Sequence, residues 1–141
     1  MKKYLVILLA VSLFLMGANP IMASSQQQNT IISPQAYITI TGGNCAINSN
    51  GDGTINISGS TTTVYPVDKI GLTLHLQYLS GGSWYNLNSY TFSDYESAYI
   101  SASKLLRVSS GFYYRVVAEH TSLDGAINER GQSYTSMVYV P

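Results

Sequence analysis

Cysteine is almost missing from this chain. Cys45 stands alone, so no intramolecular disulfide can form and the fold must rest on its own core. Within an alternating apolar stretch, such a cysteine is expected to be buried. Histidine is nearly as scarce. His75 and His120 fall in separate segments, with no second histidine or cysteine at metal-ligand spacing. No metal and no other cofactor is expected. Charge is thin as well, at 10% of residues, with seven basic side chains against seven acidic ones. That composition lacks the basic footprint that nucleic acid requires. No serine sits in a G-x-S-x-G elbow, and the carboxylates are scattered through turns and strand ends. No catalytic residue emerges, and the chain reads as non-enzymatic.

A hydrophobic run long enough to span a membrane is also missing. The apolar stretch from Leu5 to Ala18 follows Lys2 and Lys3 and is shorter than the ~20 residues a transmembrane helix needs. Behind it come a helix-breaking Pro20 and a small Ala23. This is the layout of a secretory signal peptide, residues 1–23, with cleavage after Ala23 or alternatively after Ala18. The expected destination is secretion to the extracellular space, without membrane attachment once the signal is removed. Taking 23 residues from 141 leaves 118, enough for one domain. Residues 24–34 are polar and without periodicity, a flexible leader. Residues 35–141 form the domain.

From Gln35 onward the pattern is alternation, punctuated by glycine. "KIGLTLHLQYL" puts Ile70, Leu72, Leu74, Leu76 and Tyr78 on one face and Thr73, His75 and Gln77 on the other. "GFYYRVVAEH" and "QSYTSMVYV" alternate in the same way, and turn signals recur about every ten residues. No helical period appears outside the signal segment. A short helical turn is allowed for only between Lys104 and Ser109. Seven or so short strands predict an all-β fold: a single antiparallel β-sandwich after an N-terminal signal helix, with a small barrel as the alternative.

"NSNGDGTIN", residues 48–56, resembles a calcium loop, with Asn48, Asn50, Asp52 and Asn56 at ligand positions and Gly53 at the bend. The twelfth position, where a bidentate carboxylate belongs, is Gly59, and Asp52 is the single formal charge. Between two alternating segments, Asn, Asp and Gly instead predict a hairpin turn.

The segments "KIGLTLHLQYLSGGSWYNLNSYTF", "SSGFYYRVVAEH" and "SYTSMVYV", with "GTINISGS" before them, carry a resemblance. Leu76-Gln77, Ser80 to Trp84 and Ser110 to Val116 resemble the motifs of small secreted proteins of unknown function from Gram-positive, Firmicutes-type bacteria. The pattern is also similar to immunoglobulin and fibronectin-III domains, with Tyr114 placed as in a tyrosine corner. The resemblance implies export and a sandwich, and no activity.

The surface is where function is sought. Without the signal segment the chain has eleven tyrosines and one tryptophan against twelve charges. Tyrosine joins a flat apolar face to a polar tip, which suits stacking on sugar rings or docking on a protein. The candidate ligand-binding residues are Trp84, Tyr85, Tyr113 and Arg115. Tyr85, Tyr113 and Arg115 are expected outward on neighbouring strands if Leu72, Leu74, Val116 and Ala118 face inward. The expected role is a monomeric binding module at or outside the bacterial surface, its partner a cell-wall glycan. The alternative is a protein-interaction or inhibitor module that meets an extracellular protein with the charged loop of residues 122–131, which carries Asp124, Glu129 and Arg130.

Overall fold

A computed structural model describes residues 37–141. The expected signal segment and the leader, residues 1–23 and 24–34, lie outside the described residues. What is described is all-β and antiparallel. It comprises β1 (Ile40–Ser49), β2 (Thr54–Ser80), β3 (Ser83–Arg107), β4 (Phe112–Asp124), β5 (Ile127–Tyr134) and β6 (Val138–Val140). Among the described residues no helix is long and apolar enough to cross a membrane. The stretch after Lys104, allowed a helical turn by its sequence, continues as strand to Arg107.

Six strands appear where seven or so short ones are expected, because two pairs of segments fuse. "TINIS" and "KIGLTLHLQYL" become one 27-residue strand, and "SWYNLNSYTF" and "SAYIS" become one of 25. The chain turns a corner at Thr63–Pro66 and again near Glu96, but it does not reverse there. β2 and β3 therefore form one long hairpin that bends, and the sheet curls. The first arm is β1, the start of β2 and the end of β3. The second arm is the start of β3, the end of β2, then β4, with β5 and β6 both pairing onto β4.

Alternation puts one face of each arm inside the curl. Cys45, Ile47, Ile55 and Ile57 of the first arm pack with Leu72, Leu74, Leu76, Tyr114, Val116 and Ala118 of the second, all fully or nearly fully buried. Each enclosed Leu or Ile contributes roughly 1.5–3 kcal/mol of burial. The expected phase of β2 holds: Leu74 is enclosed, while His75 points outward and meets Ser89 at 2.7 Å. Tyr114 closes one end of the core, its hydroxyl donating to the Ser109 carbonyl at 2.7 Å.

The side of the curl where β1 meets β4 and β5 is polar. Ring nitrogens of the buried His120 lie 2.8 Å from Thr61 Oγ1 and 2.8 Å from Ser133 Oγ, and the Ser133 hydroxyl reaches the Cys45 sulfur at 3.3 Å. Gly43 has to be glycine here, since a Cβ would sit 2.6 Å from the imidazole ring. Further along, Glu129 gathers the start of the domain. Its Oε1 accepts from the Ile38 amide, and its Oε2 accepts from the Thr39 and Ile40 amides at 3.0 and 2.9 Å and from the Thr39 hydroxyl at 2.7 Å. Hydrogen bonds therefore close this side of the curl.

Candidate functional site

The candidate residues sit where β2, β3 and β4 run side by side in the second arm. Gln77 is the centre of the register, opposite Asn86 on one side and Arg115 on the other. All three point out of the curl, since Leu76 and Val116 beside them point in. Gln77 Nε2 donates to Asn86 Oδ1 at 2.9 Å, and Arg115 Nε donates to Gln77 Oε1 at 2.8 Å. The Arg115 guanidinium also lies over the Trp84 ring, 4.2 Å from its centroid, the geometry of a cation–π contact. Two residues along β4, Tyr113 faces out on the same side as Arg115 and packs against Tyr139 of β6, ring centroids 5.1 Å apart and planes tilted by 48°.

Tyr85 does not join them. Its partner across the ladder is Tyr78, which continues the inward face of Leu72, Leu74 and Leu76, and the two rings lie 5.7 Å apart. A β-bulge is the reason. Leu76 pairs with Asn88 and Gln77 with Asn86, so Leu87 is an extra residue in β3. An extra residue reverses the alternation beyond it. Thr91 and Ser89 face outward with Thr73 and His75, yet past the bulge it is Asn86 and Trp84 that face outward. The expected set of Tyr85, Tyr113 and Arg115 is thus corrected to Trp84, Tyr113 and Arg115, joined by Gln77, Asn86 and Tyr139. Tyr78, the neighbour of Tyr85, lines a cleft of about 260 Å³ together with Leu87, Ser109, Phe112 and Tyr114, while Tyr85 itself stays half exposed.

Sequence reasoning missed Gln77, Asn86 and Tyr139 as members of this face. The register of Gln77 against Arg115 follows from the strand pattern, but Tyr139 comes beside Tyr113 only because β6 returns to pair with β4. Also missed was a second concavity, about 460 Å³, on the outer face of the first arm. It is lined by Asn44, Ser58, Ser60, Tyr99, Ser101 and Ser103. Its signal was available in the period-two serines of β2 and β3.

Residues 122–131 are not a loop. β4 runs to Asp124 and β5 begins at Ile127, so only Gly125 and Ala126 separate the strands. The carboxylates of this hairpin are bonded to the protein itself, while Arg130 stays largely exposed. Asp124 takes a hydrogen bond from Tyr65, Arg130 pairs with Glu119 at 3.5 Å, and the Gly125 amide donates to Asp68 at 2.8 Å. Glu129 has a carboxyl pKa of about 2. Its partial burial works to raise the pKa, but the hydrogen bonds from Thr39, Ile40 and Ile38 outweigh that.

The calcium-like segment is a hairpin turn between β1 and β2. Asn48 and Asn56 pair directly across the ladder, and Gly51 and Gly53 take φ of 79° and 78°. Asp52 accepts from the Thr54 side chain and amide, which draws its carboxyl pKa down. Among the described residues, no three His, Cys, Asp or Glu side chains gather as a metal site would require.

The chain matches no protein-family model, and no curated protein or solved structure matches it significantly. A reading of its function rests on the geometry of these faces.

Proposed function

We propose that this protein is a secreted, non-enzymatic binding module that holds a cell-wall glycan on the outer face of the second arm. The observation that carries the reading is the array Trp84–Arg115–Gln77–Asn86, which crosses three strands on an exposed face. Sugar recognition asks for an exposed aromatic surface beside fixed amide and guanidinium groups: Tyr113 and Tyr139, 42% and 49% exposed, supply the first, and the array, whose indole is covered on one side by the guanidinium, supplies the second. Arg115 is held on two sides, by the indole and by Gln77, so little side-chain freedom is lost on binding. Tyr113 and Tyr139 extend the platform by a second aromatic surface.

The finer reading of the fold belongs with this proposal. We take the curled sheet as an immunoglobulin-like sandwich, exported by a Gram-positive-type bacterium after removal of residues 1–23. Two observations support it: the inner faces of the arms pack on one another, and Tyr114 makes its corner contact. The protein-docking alternative has less behind it, because two of the three charges of the 122–131 hairpin, Asp124 and Glu129, are bonded within the protein and only Arg130 is largely exposed.

A pull-down against purified cell wall tests the function. The protein is expected to sediment with the wall in low and high salt, and Trp84→Ala and Tyr113→Ala are expected to release it. Failure of the folded wild-type protein to bind wall or its isolated polysaccharides would remove the proposal.

A further inference from the structure

Arg115 is the charged member of the array, and its guanidinium is already engaged by its face and by one edge. The face lies over the Trp84 ring, and the edge that carries Nε donates to Gln77 Oε1 at 2.8 Å. The terminal edge, with both Nη groups, is left over. Among the described residues no carboxylate pairs with Arg115. Glu119, which shares this outward face of β4, pairs instead with Arg130 at 3.5 Å. The side chains that face Arg115 are neutral: Trp84 of β3, Gln77 of β2, and Tyr134 of β5, whose hydroxyl donates to Gln132 at 2.7 Å. Arg115 is half-buried, and that burial works against its charge and lowers its pKa.

A cation held in this way gains from an anion. The terminal N–H groups of a guanidinium form a planar fork that meets two oxygens of a carboxylate or phosphate at once, with charge-assisted hydrogen bonds. Resting on the reading of this face as a glycan site, we propose that the polymer it holds is acidic, and that an oxyanion of the polymer docks on the Nη edge of Arg115. A sugar ring beside the anion then lies against Tyr113 and Tyr139. The indole and Gln77 fix the plane of the fork before the ligand arrives, so little freedom is lost on docking. A neutral polymer would leave the fork to water. Salt screens a single ion pair only in part, and the tyrosine contacts do not depend on it, so binding weakens in high salt without being lost.

The test measures binding of protein expressed from the full sequence to purified cell wall in three forms: native, with carboxyl groups amidated, and with phosphodiesters removed by hydrofluoric acid. At least one treatment is expected to weaken wild-type binding by roughly tenfold or more, and which one does so names the source of the anion. Arg115→Gln should bind native wall about as weakly and should be indifferent to both treatments. Arg115→Lys keeps the charge but loses the planar fork, so it should recover only part of the affinity. If Arg115→Gln fails to fold by circular dichroism, the wild type on the three walls carries the test. Equal binding of the wild type to all three overturns the acidic polymer and leaves the glycan reading standing. An Arg115→Gln variant that binds like wild type, or that stays sensitive to the treatments, overturns it too. No binding of the wild type to native wall removes both readings.

Discussion

Trp84 and Arg115 stand on strands that do not pair with each other, yet the guanidinium lies 4.2 Å from the centre of the indole ring. β2 separates them, and Arg115 reaches across it while bonded to Gln77. The contact exists because the bulge at Leu87 turns Trp84 outward. The same bulge turns Tyr85 onto the core side, where its neighbour is Tyr78.

That inversion separates two adjacent aromatics by role. Trp84→Ala is expected to abolish wall binding, with a stability loss of roughly 0.5–1 kcal/mol from the Arg115 contact. Tyr85→Ala is expected to lose a comparable amount of stability, roughly 1 kcal/mol through the Tyr78 contact, but to keep binding. Binding and thermal melts of the two variants, measured side by side, decide it. Loss of binding on Tyr85→Ala alone would place the ligand at the cleft beside Tyr78.

Glu129 is expected to be a structural residue. Glu129→Gln keeps the shape but removes the charge that three amides and a hydroxyl address, at a cost on the order of 1–2 kcal/mol at neutral pH. Urea midpoints would show it. The same variant should bind wall as well as wild type, which a salt-sensitive protein-docking hairpin would not allow.

Acid should weaken the fold in two steps. Burial lowers the His120 pKa from 6.5 to about 4, so between those values the unfolded chain takes up a proton that the folded one refuses. Stability is therefore expected to fall as pH drops from about 6.5 to about 4. Glu129 has a folded pKa of about 2 against 4.5 unfolded, so its contribution is full above 4.5 and is lost as pH falls towards 2. His120→Gln should flatten the upper part of the profile and Glu129→Gln the lower part. Denaturation midpoints from pH 7 to pH 2 give both slopes.

Calcium should have no effect. Asp52 is bound up with Thr54, and Asn48 and Asn56 belong to the ladder. Melting curves with calcium and with chelator are expected to superimpose, for wild type and for Asp52→Asn alike. A calcium-dependent rise that Asp52→Asn removes would restore the metal reading.

Leu74 is wholly enclosed, and Leu74→Ala is expected to cost roughly 2–5 kcal/mol. Gly43→Ala should also destabilise, because the new methyl meets the ring of a histidine already held from both nitrogens. Equilibrium unfolding of both variants would check the packing of each side of the curl.

Local conformation and most of the facing follow from short stretches of the chain. Alternation from Ile70 to Tyr78 marked the inward leucines and the outward His75, and glycines beside Asn50 and Asp52 marked the first hairpin, because a period of two and a tolerance for positive φ are properties of short stretches. Burial of Cys45 followed from its apolar neighbours in the same way. Tertiary structure alone decided the rest. Whether a polar, proline-bearing stretch such as Thr63–Pro66 reverses the chain or bends it depends on what lies across the sheet, so two long strands could not be told from four short ones. The bulge at Leu87 leaves no mark in the alternation of "SWYNLNSYTF", yet one extra residue moves every later side chain to the other face. Glu129 looked like a free loop charge because the amides it holds, Ile38 to Ile40, lie some ninety residues away in the chain. The long-range contacts of the polar side of the curl come from folding, and a pattern read within ten residues does not contain them.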